Sequence, residues 1–171
     1  EAEKVGMSSQ RLERITALGE RYVENNQVAG IVNLVMRNGK VVHFTAHGQK
    51  GAEDKRPLQK DDLFRIYSMT KPITAVAAMQ LYEQGMFQLS DPVAKFVPEL
   101  KHVKVLNATG QLEDQEAPMT MHQLLTHTSG LSYGFAADVD AVDRAYLDAD
   151  LWAAKDLDEF ALRIAQLPLK F

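Results

Sequence analysis

One stretch constrains the fold of this chain more than any other: Ile31-Val32-Asn33-Leu34-Val35-Met36, then Asn38-Gly39, then Val41-Val42-His43-Phe44. Asn-Gly is the strongest short signal for a two-residue hairpin turn. Both turn residues need positive φ, which Asn tolerates and Gly adopts at little cost. The first run is apolar at nearly every position rather than alternating, which suits a strand covered on both faces. A two-stranded hairpin is marginal in water and needs further strands or a covering helix. No later segment of the sequence reads as a good long strand, so the sheet reads as unfinished.

Helices are expected around this hairpin. Ser8 is placed to cap the first, with Met7 and Leu12 at the spacing of a hydrophobic staple. Leu12, Ile15, Leu18, Tyr22 and Val23 then repeat at helical period. Lys50 to Asp62 is polar and charged and reads as a surface loop. A long helix is expected from about Ser68 to Glu83, stopped by Gly85. Ser90 or Asp91 is expected to cap a short helix with Pro92 in its first position. Val103 to Thr120 reads as a small excursion of strands and turns, and Met121 to Thr126 as a brief helix halted by Ser129-Gly130. Beyond Gly134 a polar, flexible stretch is expected. The last helix has Asp156 as cap, Glu159 in a box-like arrangement and Leu157, Phe160, Ala161, Ile164 and Ala165 on one face, and Pro168 ends it. A hairpin followed by helices, without strand–helix alternation, gives an α+β class. The 171 residues are expected to be the N-terminal portion of one domain, with the helix and sheet hairpin in 1–60 and the long helix from Ser68 and a helical region in 61–171.

Composition removes several functions. The net charge of −4 is scattered, with no basic patch of the kind nucleic acid requires. No apolar run approaches the ~20 residues of a membrane span. Cysteine is absent, which excludes disulfides, thiolate metal sites and cysteine nucleophiles. The same absence leaves the compartment undetermined. The chain opens at Glu1 rather than Met, which reads equally as a cleaved secretory signal or as an engineered start.

Ser68-Met69-Thr70-Lys71 carries the chemistry. Residues three apart share a helix face with Cβ atoms roughly 5–6 Å apart, so the lysine amine reaches the serine hydroxyl without backbone distortion. Pro72 falls in the first turn, where a missing N–H costs least. A serine hydroxyl is a weak nucleophile until a base takes its proton. A solvated lysine, with pKa ~10.4, is charged at neutral pH and cannot do this. Burial lowers a lysine pKa by up to ~3–5 units, and Ile66, Met69 and Ile73 are expected to help bury the pair. A helix N-terminus at Ser68 adds a partial charge of about +0.5 where an oxyanion develops. Six serines occur and Ser68 alone has Lys three places on, yet with many lysines such a tetrad also arises by chance. The competing reading is a lysine stem packed along an apolar surface.

The context is more specific. Phe64-Arg65-Ile66-Tyr67-Ser68-Met69-Thr70-Lys71-Pro72-Ile73-Thr74-Ala75 resembles the nucleophile segment of class C β-lactamase-like esterases, the family VIII carboxylesterases. The likeness continues through Leu89-Ser90-Asp91-Pro92-Val93, Val97-Pro98-Glu99-Leu100, and Leu124-Leu125-Thr126-His127-Thr128-Ser129-Gly130-Leu131. The resemblance covers essentially the whole chain. It implies a β-lactamase/transpeptidase-like fold, an antiparallel sheet flanked by helices plus a helical subdomain. It also implies a small ester substrate, an acyl-enzyme on Ser68 and proton transfer by Lys71, with no cofactor. The family further uses a tyrosine in a Tyr-Ser or Tyr-x-Asn motif, and a later strand with a Lys-Thr-Gly-type motif. Tyr22, Tyr67, Tyr82, Tyr133 and Tyr146 all lie outside such a context. A second chain or C-terminal segment is therefore expected to complete the sheet and supply that tyrosine.

Two decoys compete. Gly130-Leu131-Ser132-Tyr133-Gly134 matches the G-x-S-x-G nucleophile elbow, which needs a strand before it and a histidine later in the chain. No histidine follows His127, so a turn using glycine at positive φ is the better reading. His43 and His47 lie four apart without a third ligand, and His102, His122 and His127 have no metal spacing; no metal is expected. His127 is expected to support the Ser129-Gly130 loop by hydrogen bonding. Tyr133 and Phe135 are candidates for the wall of an acyl pocket, or equally core filler. Three functions follow: a carboxylesterase for small esters, a β-lactamase or D-alanyl-D-alanine peptidase, and an inactive binding subunit of the same fold.

Overall fold

The computed structural model describes residues 2–171, which fall into two units, one ending at Ile66 and one spanning Tyr67–Phe171.

In the first unit, helix α1 (Ser9–Glu24) packs on an antiparallel hairpin of β1 (Gly30–Arg37) and β2 (Lys40–Gly48). Ser8 caps α1 as expected, its side chain accepting the Arg11 N–H at 3.3 Å. The register pairs Leu34 with Phe44 and Arg37 with Lys40, with an irregularity at Val35/Met36. Asn38 and Gly39 take φ of 49° and 72°, the two positive values that the dipeptide announces. The helix covers the hairpin closely at Gly19, where an added Cβ would lie 3.1 Å from the Ile31 side chain. Leu34, Met36 and Val41 remain exposed, so the double coverage expected of β1 is not supplied among the described residues. The 50–62 loop is ordered by the Lys50–Asp62 ion pair and by the Lys50 N–H donating to the Arg56 carbonyl at 3.0 Å.

The second unit opens with a 3-10 turn, Tyr67–Met69, that runs into α2 (Thr70–Glu83). Gly85, at φ 73°, follows its end, as expected for a glycine in the left-handed C-terminal position. Three-residue strands β3 (Lys104–Leu106) and β4 (Leu112–Asp114) pair antiparallel, and Leu169 bridges Val105 in parallel. The core holds Val93, Leu100, Val103, Met119 and Leu169, the last 1% exposed. Its position follows from two backbone bonds, Leu169 N–H to Lys104 O at 2.8 Å and Leu106 N–H to Leu169 O at 3.0 Å.

Helices α3 (Met121–Leu125), α4 (Ala141–Asp148) and α5 (Leu157–Ile164) complete the unit. Thr120 and Gln123 form a reciprocal capping box for α3. Asp156 caps α5 by accepting the Glu159 N–H at 2.8 Å, while the Glu159 carboxylate reaches Lys155 N–H instead of the cap itself. Two expectations fail. Asp91 does not cap the short helix after it; its carboxylate accepts the Gln88 N–H at 2.9 Å and pairs with Lys95. The stretch beyond Gly134 is not all loop, because Asp140 caps α4 by accepting the Asp143 N–H at 2.9 Å.

Candidate active site

Ser68 sits in the middle of the 3-10 turn, one residue after Tyr67, whose φ is 45°. For a bulky aromatic residue the left-handed region is an outlier, with a cost of about 1–3 kcal/mol that persists where the surroundings enforce it. The backbone strain thus lies directly before the serine and turns it to the surface at the start of α2. Lys71, in the first turn of α2, donates from Nζ to Ser68 Oγ at 3.1 Å. This is the geometry that the i, i+3 spacing requires. The Lys71 ammonium also lies over the Tyr133 ring, 5.4 Å from its centroid. That ring is stacked on Phe135 with centroids 5.1 Å apart and planes 6° from parallel. Lys71 therefore meets two of the other three candidates, Ser68 and Tyr133, and Phe135 stacks on the second.

The expected apolar shield is absent. Met69 and Ile73 are 66% and 62% exposed, Ile66 is also exposed, and Ser68 is open to solvent. At i+1 and i+5 from the serine, Met69 and Ile73 point away from the face it shares with Lys71. None of the residues of α2 is buried among the described residues, although Ile73, Val76 and Leu81 lie on it. Burial of the lysine is thus not provided by these side chains. Besides the serine, its ammonium lies against the aromatic face of Tyr133.

Ser132 does different work. Its hydroxyl donates to the Asp143 carboxylate, which also accepts the Ala136 N–H at 2.7 Å and pairs with Lys170 Nζ at 2.8 Å. Asp143 is 3% exposed. Its carboxyl is held down at about 2, first by Lys170 and then by the Ser132 hydroxyl, so it stays ionised and accepts from the hydroxyl, which keeps its proton. The element directly before Ser132 is helix α3 rather than a strand, and Gly130 and Gly134 both have φ of 80°. An added Cβ at Gly130 would fall 2.5 Å from the Phe171 carbonyl oxygen. The G-x-S-x-G match is a glycine-dependent loop tied to α4, not a nucleophile elbow. Nothing in the sequence pattern pointed to Asp143 or Lys170, because partners 11 and 38 residues from Ser132 follow no local period.

The histidines fall away too. His127 has φ of 60° and its imidazole makes no hydrogen bond among the described residues. The loop it was expected to support is held by Thr126 Oγ1 bonding Thr128 Oγ1 at 3.0 Å and by Lys170 N–H donating to Gly130 O at 2.9 Å. His43 is buried and His47 faces Glu20 at 3.7 Å. Among the described residues no group of three potential ligands is placed to hold a metal ion, and no helix is long and apolar enough to cross a membrane. Tyr146 is buried against the loop, and burial pushes its phenol up to about 12, with the Ser132 amide pulling weakly the other way. It is a poor stand-in for a tyrosine that exchanges protons near neutrality.

Comparison with known proteins bears on all of this. The beta-lactamase family profile matches residues 15–171. Esterase EstB from Burkholderia gladioli is 35% identical over 161 residues, which cover 92% of this chain and 39% of EstB. Among solved structures, EstCE1, described as a hydrolase with promiscuous acyltransferase activity, superposes with a TM-score of 0.77 at 26% identity, covering 95% of this chain and 42% of its own. Simvastatin synthase (LovD) from Aspergillus terreus gives a TM-score of 0.71 at 26% identity with the same coverage. The chain spans about two fifths of the length of these relatives.

Proposed function

The chain belongs to the beta-lactamase family and has its fold, and from that premise we propose that it carries the nucleophile of a serine hydrolase acting on small carboxylic esters. The observation that carries this reading is the 3.1 Å contact between Lys71 Nζ and Ser68 Oγ at the start of α2. In the proposed cycle the neutral amine of Lys71 takes the hydroxyl proton as Oγ bonds to the ester carbonyl carbon. The oxyanion forms at the N-terminal end of α2, where the helix places a partial positive charge. Collapse expels the alcohol, which receives the proton from Lys71, and leaves an acyl group on Ser68. Water then attacks that carbonyl, gives a proton back through Lys71, and releases the acid and the serine hydroxyl.

The half-buried lysine sets a requirement. Its amine must be desolvated or placed near another proton-exchanging group before it serves as base at neutral pH. We assign that contribution to a further segment or second chain, which supplies a tyrosine and more of the sheet. The uncovered apolar residues Ile73 and Val76 on α2, and Leu34 and Met36 on β1, support this assignment. The Tyr133–Phe135 stack, beside Lys71, is proposed to contact the substrate.

A β-lactamase or D-alanyl-D-alanine peptidase shares the nucleophile and the fold. Turnover of p-nitrophenyl butyrate and of a chromogenic cephalosporin by one active preparation separates the readings. The ester is expected to react with the higher kcat/KM; a faster cephalosporin would replace the esterase reading with the lactamase one.

A further inference from the structure

The second unit contains a cavity of about 400 Å³ that the reaction outlined above leaves unused. Leu131, Leu147, Trp152, Phe160 and Ile164 form its apolar walls, and Tyr133 belongs to its rim. The volume is at the low end of the ~300–1,000 Å³ of small-molecule pockets, and predominantly apolar walls are typical of them. Ser68 and Lys71 are not part of the lining. The link to them is Tyr133, which lies 5.4 Å from Lys71 Nζ, itself 3.1 Å from Ser68 Oγ. Trp152 is 87% exposed yet its ring sits 6.4 Å from that of Phe160. A large indole held open beside an apolar hollow is the arrangement that a bound hydrocarbon group would cover.

The polar groups on the wall narrow the ligand. Ser132 is committed to Asp143, and His127, Ser129, Tyr146 and Asp150 supply the rest of the polar lining. Apolar side chains make up the majority of the lining, with a few polar groups among them, which suits a neutral and largely hydrocarbon ligand. We propose that it is the acyl-group pocket of the Ser68 site, taking a neutral arylalkyl or branched medium-length acyl chain that passes Tyr133 with its carbonyl at Ser68. This rests on the serine hydrolase reading and deepens it, since acetyl would leave the cavity empty. Each methylene that enters raises kcat/KM about fourfold until the space is full.

Trp152 is the chain's single tryptophan, so its emission reports occupancy without any turnover. The probe is 4-phenylbutyramide, a neutral amide with the proposed acyl shape, titrated into the chain while Trp152 emission is followed. A second measurement, on an ester-hydrolysing preparation that contains the chain, is the rate at which a fluorophosphonate labels Ser68 with and without saturating amide. Expected are a saturable emission change, none with acetamide, at least tenfold weaker binding in Leu147→Phe, and slower labelling of Ser68 when the amide is bound. Leu147 is half exposed, so the larger ring narrows the cavity without entering the core, and matched emission of the unliganded variant verifies its fold. No saturable change, or a change that Leu147→Phe leaves intact, overturns the cavity as a binding site while Ser68 labelling still stands. Saturable binding with Ser68 labelled at an unaltered rate overturns the acyl assignment. Saturable binding with no Ser68 adduct at all overturns it together with the hydrolase reading.

Discussion

Ser68→Ala is expected to lower kcat for an aryl ester by roughly 10⁴-fold or more, the scale on which removal of a covalent nucleophile acts. Stability should scarcely change. Ser68 is exposed, and its side chain is drawn with one hydrogen bond, from Lys71 at 3.1 Å. Surface changes of this kind stay within about 0.5 kcal/mol. Steady-state kinetics and thermal unfolding on the same variant separate the two effects. A loss of activity with an unaltered midpoint identifies a chemical role. Retained turnover within tenfold would instead make Ser68 a surface serine and leave the scaffold as a binding subunit.

Lys71→Arg is expected to lower kcat/KM by about 10²–10⁴, the range for a general acid–base group. The substitution preserves positive charge, and a guanidinium still lies well over the Tyr133 ring. What it removes is the ability to exist as a neutral base, because arginine is not deprotonated in proteins. A lysine that acted only through its charge would tolerate the change, and activity within about fivefold of the parent would establish that. Comparison with Lys71→Met adds the complementary case, where charge and proton transfer are lost together. Nearly equal losses in the two variants point to proton transfer as the shared function.

These expectations rest on features that differ in how they are written into the sequence. The hairpin was legible because Asn38-Gly39 encodes φ directly, and the structure has both residues at positive φ. The Ser68–Lys71 contact was legible because helical geometry alone brings residues three apart together. Caps at Ser8 and Asp156 were legible for the same local reason. Tyr67 was not, since nothing in an aromatic side chain favours a φ of 45°; the turn imposes it. The tie from Ser132 to Asp143 and Lys170 was hidden because its members come from separate elements. Once α4 is known, Asp143 is its third residue and faces back towards the loop, whereas the sequence around 135–140 gave only polarity. Burial was misjudged in one direction. Apolar residues on α2 and β1 promised cover, yet cover depends on what packs against them, and that is a long-range property.

The Tyr133 ring over Lys71 connects the two levels of the account. It lies 5.4 Å from the lysine Nζ, and it also lines the apolar cavity. A substrate that moved this ring while entering the cavity would also remove a group that favours the ammonium. Positioning of the loop by Asp143 would then matter to the lysine without touching it.

The most direct test of the central claim is covalent labelling of an ester-hydrolysing preparation with a fluorophosphonate, followed by peptide mass spectrometry. In that reaction a serine oxygen bonds to phosphorus and fluoride leaves, so the adduct marks the residue whose hydroxyl has been activated. The expected result is an adduct on the peptide containing Ser68, lost in Ser68→Ala. An adduct on Ser132, or an active preparation with Ser68 unmodified, would contradict the assignment of Ser68 and Lys71 as the reacting pair.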